Sequence, residues 1–190
     1  MIEHFFSTPI YYCVFREEEI FSINQEIKKY ESKIDREKFT NPWGDTVLTN
    51  FKYDPYDHTL DHLPFLKNKI LNSVSEYIQQ LSINCSKFEI LESWINYSHQ
   101  GGMQNYHIHD GYDISGVYFY QTTGTDGDLI FLHPSLVNRF HRITSAISPK
   151  IAYSPEVGKL ILFPSFLEHS VGINMTDSVR VSIAFNVRVE

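Results

Sequence analysis

Two hydrophobic periodicities divide the chain. Leu60, Leu63, Leu66, Ile70, Leu71, Val74, Tyr77, Ile78 and Leu81 recur at intervals of three and four. That spacing predicts an amphipathic helix over residues 60–82 with one face meant for a sheet. A second helix is predicted over 16–34, with Glu17, Glu18 and Glu19 in its first turn and Lys28 and Lys29 later, the charge order a helix dipole favours. From Phe88 onward the pattern shortens to strands: 88–97, 114–122, 128–132, 151–153, 159–163, 168–173 and 179–189. Turn residues separate them at Gly101-Gly102, Gly124 to Gly127, Pro155 to Gly158, Pro164-Ser165 and Asn174 to Asp177. Residues 4–14 read as a further strand, interrupted by Pro9 and therefore at an edge. Residues 35–58 hold two turn-rich clusters, Pro42 to Asp45 and Asp54 to Asp57, and read as an irregular arm.

Short strands after two helices predict a mainly β protein with flanking helices. The expected architecture is a jelly-roll double sheet with two N-terminal helices packed on one side. A length of 190 residues fits one domain. Residues 1–87 would supply the N-terminal strand, helices and arm, and residues 88–190 the β core.

Composition narrows the function. Aromatic residues reach 15%, with 14 Phe and 12 Tyr, which suits half-buried pleated surfaces. The net charge of −7, without a basic block, disfavours an extended nucleic-acid partner. Cys13 and Cys85 stand far apart and form neither a disulfide framework nor a zinc pattern. They read as buried thiols of a reducing compartment. With no secretory signal and no apolar run of membrane length, the expectation is a soluble cytoplasmic protein with no membrane partner.

The candidate chemistry lies in the C-terminal half. His107 and His109 are one residue apart, so on a strand both imidazoles share a face. His169 follows 60 residues after His109, and Arg180 comes 11 residues later. Three imidazoles can form one face of an iron(II) coordination shell, leaving positions for a co-substrate and oxygen. A carboxylate is the commoner second ligand, but period two turns the neighbouring Asp110 to the opposite face. His109 is therefore the expected ligand, with a loop distortion that brings in Asp110 as the alternative. Arg180 and Ser182 share a face of the last strand. A guanidinium fork and a hydroxyl suit the distal carboxylate of 2-oxoglutarate. Between Val179, Val181 and Ile183, an inward arginine requires an anionic partner. Tyr118, which shares a strand face with Tyr120, and Asn96 are candidate co-substrate contacts. Aromatic core packing and a cross-strand hydrogen bond are the competing readings. The long connection 133–150, with His133, Arg139, Arg142 and Lys150, is a candidate lid over the prime substrate.

Taken together, Trp94-x-Asn96, Gly101-Gly102, Gln104 to His109, Ser115 to Tyr120, Gly127 to Phe131, Gly158 to Ser165, His169-Ser170-Val171 and Arg180 to Asn186 resemble the 2-oxoglutarate/Fe(II)-dependent oxygenases found in marine bacteria and their phages. The resemblance covers about residues 88–187. It implies a double-stranded β-helix, iron held by His107, His109 and His169, and 2-oxoglutarate anchored by Arg180. One departure is Asp110, where such sequences usually have proline.

The resulting expectation is an Fe(II)- and 2-oxoglutarate-dependent dioxygenase. It would hydroxylate an unidentified small molecule or protein side chain and release succinate. A modified nucleotide also stays open. The alternatives are a cupin-like three-histidine metalloenzyme that does not use 2-oxoglutarate, and a non-catalytic jelly-roll binding module. Oligomeric state is not legible.

Overall fold

The computed structural model describes residues 7–42, 46–51, 58–140 and 149–190. Residues 4–6 of the expected first strand, residues 43–45 of the first turn-rich cluster, the whole of the second cluster and Arg142 lie outside the described residues. In chain order the elements are β1 (Tyr11–Val14), α1 (Glu17–Glu31), β2 (Val47–Thr49), α2 (Pro64–Gln80), β3 (Phe88–Ser98), β4 (Gln104–His107), β5 (Ile114–Gln121), β6 (Leu129–Leu132), α3 (Leu136–Phe140), β7 (Lys150–Tyr153), β8 (Lys159–Pro164), β9 (His169–Val171) and β10 (Arg180–Val189).

The strands form two antiparallel sheets. A six-stranded sheet has the order β1-β8-β5-β10-β3-β2, and a four-stranded sheet the order β4-β9-β6-β7. From β3 onward the chain passes repeatedly between them. This is a double-stranded β-helix with helices on one sheet, as expected. β1 pairs only with β8 and so forms an edge, with Pro9 outside the strand.

The helices cover the six-stranded sheet. Ile23, Ile27 and Tyr30 of α1 and Leu66, Ile70, Val74, Tyr77 and Ile78 of α2 are buried against Ile95, Tyr97, Leu160, Leu162, Val181, Ile183, Phe185 and Val187. Period two in the strands and 3.6 in the helices bring these apolar rows together. α2 begins at Pro64, which suits a first helical turn because no N–H is lost from the ladder. Its next two N–H groups, on Phe65 and Leu66, donate to the Glu26 carboxylate of α1 at 2.9 and 3.1 Å. One acid thus caps α2 and ties the helices together. On the other face of the sheet, Phe119, Ile161 and Phe163 meet Leu129 and Phe131 of the four-stranded sheet, with Leu167 between them.

Two elements differ from expectation. β2 lies within the expected irregular arm. Only three residues long, it is held by pairing with β3 from Val47↔Ser98 to Thr49↔Asn96. The helix α3 lies within the expected connection 133–150. Among the described residues no helix is long and apolar enough to cross a membrane.

Candidate metal centre

β4 and β9 pair so that His107 stands directly opposite His169. Directly opposed residues in an antiparallel pair bring their side chains together, and the two imidazole centroids are 4.3 Å apart. β4 ends at His107, which corrects the expectation that His107 and His109 share a strand. His109 lies in the following loop, where its backbone N–H donates to the Ser165 carbonyl at 3.0 Å. Its ring reaches the cluster from there, 5.1 Å from His107 and 5.2 Å from His169. One ligand-capable nitrogen from each histidine lies within 4.8 Å of the others. Asp110 is exposed and outside this cluster.

The electrostatics suit a cation. Burial, with the nearby His107 as the smaller cause, lowers the pKa of His109 to about 4 and that of His169 to about 3. Both imidazoles are therefore neutral at pH 7 and carry lone pairs. Phe163 and Phe131 pack on His169 with centroids 4.7 and 5.9 Å away, which supplies that burial. Three imidazoles converging in this way form a donor set that fits a divalent first-row metal.

Arg180 is 2% exposed, with its guanidinium on the cavity side of β10. Nη1 donates to the carbonyls of Asp126 and Gly127, and Nη2 donates to Ser98 Oγ at 3.1 Å. Gly127 has φ +107°, and a Cβ there would collide with the Gly172 carbonyl and Arg180 Nη1. A glycine at this turn lets the backbone close on the arginine. These contacts leave the Nε hydrogen and one Nη2 hydrogen without a protein acceptor among the described residues. No carboxylate among those residues forms an ion pair with Arg180 either. Burial lowers its pKa, while the charge of Asp126 opposes that shift. A buried cation with open N–H donors favours an anion beside it.

One cavity joins these parts. Its lining includes His107, His109, His169, Arg180, Ser182 and Asn96, around about 600 Å³ of space that is partly open to solvent. Ser182 stands opposite Asn96 across the β10–β3 pair. Asn96 Oδ1 and Trp94 Nε1 are buried without hydrogen-bond partners. Trp94 lines the same cavity, with its ring 5.8 Å from that of His109. In the sequence Trp94 stands out only as part of the Trp94-x-Asn96 motif. Its signal was the i, i+2 spacing to Asn96.

Tyr118 is not brought to the site. It is fully buried on the helix side of β5, its ring 5.7 Å from that of Phe15, with a hydroxyl that has no partner. Desolvation raises its pKa. Tyr118 and Tyr120 do share a face, but it is the face under the helices; Val117 and Phe119 line the cavity. Arg139 lies in α3, where Nη2 meets Glu168 at 2.7 Å and Nε donates to the His133 carbonyl at 2.7 Å. Those bonds tether α3 beside the strand that begins with His169.

A family model described as "Putative 2OG-Fe(II) oxygenase" matches residues 92–186, a span that contains all three histidines and Arg180. No curated protein matches the sequence. Among solved structures, HygX from Streptomyces hygroscopicus, with nickel, 2-oxoglutarate and hygromycin B bound, is similar at 12% identity and a TM-score of 0.62, over 95% of this chain and 83% of that chain. A Pseudomonas putida prolyl-4-hydroxylase is similar at 14% identity and a TM-score of 0.64, over 97% of this chain and 94% of that one. A Trichoplax adhaerens prolyl hydroxylase, in complex with a hypoxia inducible factor oxygen degradation domain peptide fragment, is similar at 12% identity and a TM-score of 0.60, over 93% and 83%. At these identities the likeness establishes the fold.

Proposed function

The chain belongs to the 2OG-Fe(II) oxygenase family, whose model spans half of it, and on that premise we propose that His107, His109 and His169 hold the iron while Arg180 and Ser182 hold 2-oxoglutarate. The enzyme is an oxidoreductase that depends on Fe(II) and 2-oxoglutarate. The observation that carries the residue assignment is the shared cavity: three clustered imidazoles and a buried, incompletely bonded guanidinium line one space.

When bound, iron and 2-oxoglutarate supply the oxidising chemistry, in which dioxygen is consumed, 2-oxoglutarate becomes succinate and carbon dioxide, and a substrate C–H bond is hydroxylated. The protein's part is placement. His107 and His169 are set by strand register, and His109 by the loop bond to Ser165. Arg180 offers its free N–H donors to the distal carboxylate, with the Ser182 hydroxyl beside it. The Asn96 carbonyl oxygen and the Trp94 indole N–H each offer one polar contact to a ligand. Phe131 and Phe163 exclude water behind His169.

The prime substrate is a small molecule or a protein side chain. Complexes of similar folds with hygromycin B and with a peptide fragment support both classes. The net charge of −7 argues against an extended nucleic acid. Residues 88–190 act as the catalytic core, and α1 and α2, from the first 87 residues, brace its larger sheet. Two free, part-buried cysteines fit a cytoplasmic setting.

Anaerobic addition of Fe(II) and 2-oxoglutarate should give a weak visible charge-transfer band that His169→Ala abolishes. Oxygen uptake coupled to succinate release should follow in air. A folded, iron-loaded protein without the band, or a band unchanged in His169→Ala, sinks the assignment.

A further inference from the structure

The three imidazoles differ in what their second ring nitrogen meets. His107 Nδ1 faces the Asn105 carbonyl at 2.7 Å, and His169 Nδ1 faces the Leu167 carbonyl at 2.8 Å. A carbonyl only accepts, so each Nδ1 carries hydrogen and each Nε2 keeps its lone pair. His109 Nδ1 instead faces the side-chain amide nitrogen of Asn186, 3.5 Å away.

The polarity of that amide follows from its other neighbours. Asn186 Nδ2 lies 3.2 Å from Glu92 Oε2. Asn186 Oδ1 accepts the Ser115 hydroxyl at 2.8 Å, and Ser115 Oγ lies 2.9 Å from Ser165 Oγ. With the Ser115 hydroxyl donating to Oδ1 and the Glu92 carboxylate oxygen accepting from Nδ2, the amide nitrogen, not the oxygen, faces Glu92. Once Asn186 gives one N–H to Glu92, its second N–H is directed at His109 Nδ1, which accepts. Buried beside two other imidazoles, His109 is neutral and holds one ring hydrogen, which this arrangement leaves on Nε2.

Resting on the reading of the three histidines as the metal site, we propose that Glu92 and Asn186 form a positioning pair that sets the tautomer of His109 and makes it a conditional ligand. As held, His109 is the Nε2–H form. It offers Nε2 to a metal only when the Asn186 amide turns over, so that Oδ1 accepts from Nδ1–H. In that change water takes the proton from Nε2 and returns one to Nδ1, with no net change in charge. The Ser115 and Ser165 hydroxyls each donate or accept, so they follow the reversal. Glu92 opposes it, because a carboxylate facing Oδ1 is repulsive. His107 and His169, bonded to fixed carbonyls, need no such change.

The test is long-range proton–nitrogen NMR of the imidazoles in metal-free protein, paired with calorimetric titration by Zn(II). Expected for the wild type are Nδ1–H forms for His107 and His169 and the Nε2–H form for His109. In Glu92→Gln the new amide can donate to Oδ1; His109 should then shift to Nδ1–H, and Zn(II) should bind about tenfold more tightly, the scale of effects from groups behind metal ligands. An Nδ1–H form of His109 in the wild type overturns the proposal, and so does an unchanged Zn(II) affinity in Glu92→Gln. Failure of the wild type to take up one equivalent of Zn(II) overturns the metal-site reading itself. The tautomers are read without metal and separate the two cases.

Discussion

The two faces of the six-stranded sheet share every backbone hydrogen bond, yet they carry opposite tasks. Toward the helices, Ile95, Tyr97, Val181, Ile183, Phe185 and Val187 form a closed apolar layer. Toward the four-stranded sheet, the intervening positions of the same strands are Trp94, Asn96, Ser98, Arg180, Ser182 and Asn186, most of them polar and several with bonding capacity unused by the protein. The difference teaches that stability and chemistry here are separated by one residue of register. Substitutions at adjacent positions should therefore fail in different ways.

The sharpest test of that separation is on β10. Ile183→Ala empties a fully buried position under the helices and should cost about 2–5 kcal/mol of unfolding free energy. The 2-oxoglutarate affinity of the folded fraction should stay unchanged, as read by denaturant titration beside ligand binding. Three positions earlier, Arg180→Met should do the reverse. Losing a charged donor weakens 2-oxoglutarate binding by about 1.5–3 kcal/mol, or roughly 10- to 150-fold, while thermal stability holds or rises because a buried cation is gone. A destabilised Arg180→Met protein with normal 2-oxoglutarate affinity would break the comparison.

Mild acid, between pH 7.5 and 5, probes the cavity face. His109 and His169 hold pKa values of about 4 and about 3, below the ordinary 6.5, chiefly through burial. The unfolded chain takes up protons near pH 6.5, while the folded chain resists until about pH 4. The contribution of these histidines to stability is thus complete above pH 6.5 and falls as pH drops from there toward 4. Guanidinium chloride midpoints of metal-free protein at pH 7.5 and 5 would check it, and the decline should shrink in His169→Ala. The smallest effect is expected at Tyr118→Phe. This removes a buried hydroxyl without a partner, so stability should change by under about 0.5 kcal/mol or rise, and 2-oxoglutarate affinity should not move. A large loss of that affinity would restore Tyr118 as a co-substrate contact.

The same faces explain what was legible in the sequence. The helix stripe and most of the strands along the chain are readable because each has a strong period. Arg180 and Ser182 could be oriented because hydrophobic neighbours on both sides forced a choice. Tyr118 could not, since β5 is apolar on both faces and period two says which residues share a side, not which side it is. β2 escaped notice because three residues among turn formers carry little pattern, and its pairing with β3 is a long-range fact. His109 lies beside His107 without sharing its strand, which period two alone does not reveal. The strand stops at His107, and the Ser165 carbonyl and Asn186 amide that fix His109 are 56 and 77 residues away in sequence.

β10 lies at the interior of its sheet, between β5 and β3, and carries Arg180, Ser182 and Asn186 on one side. Inserting or deleting a single residue within it would exchange the two sides beyond that point, sending the amide behind His109 into the helices. Length changes in this lineage should therefore be forbidden along β10 and gather instead in the connection after β6. There the chain can grow without disturbing the ruler against which its chemistry is measured.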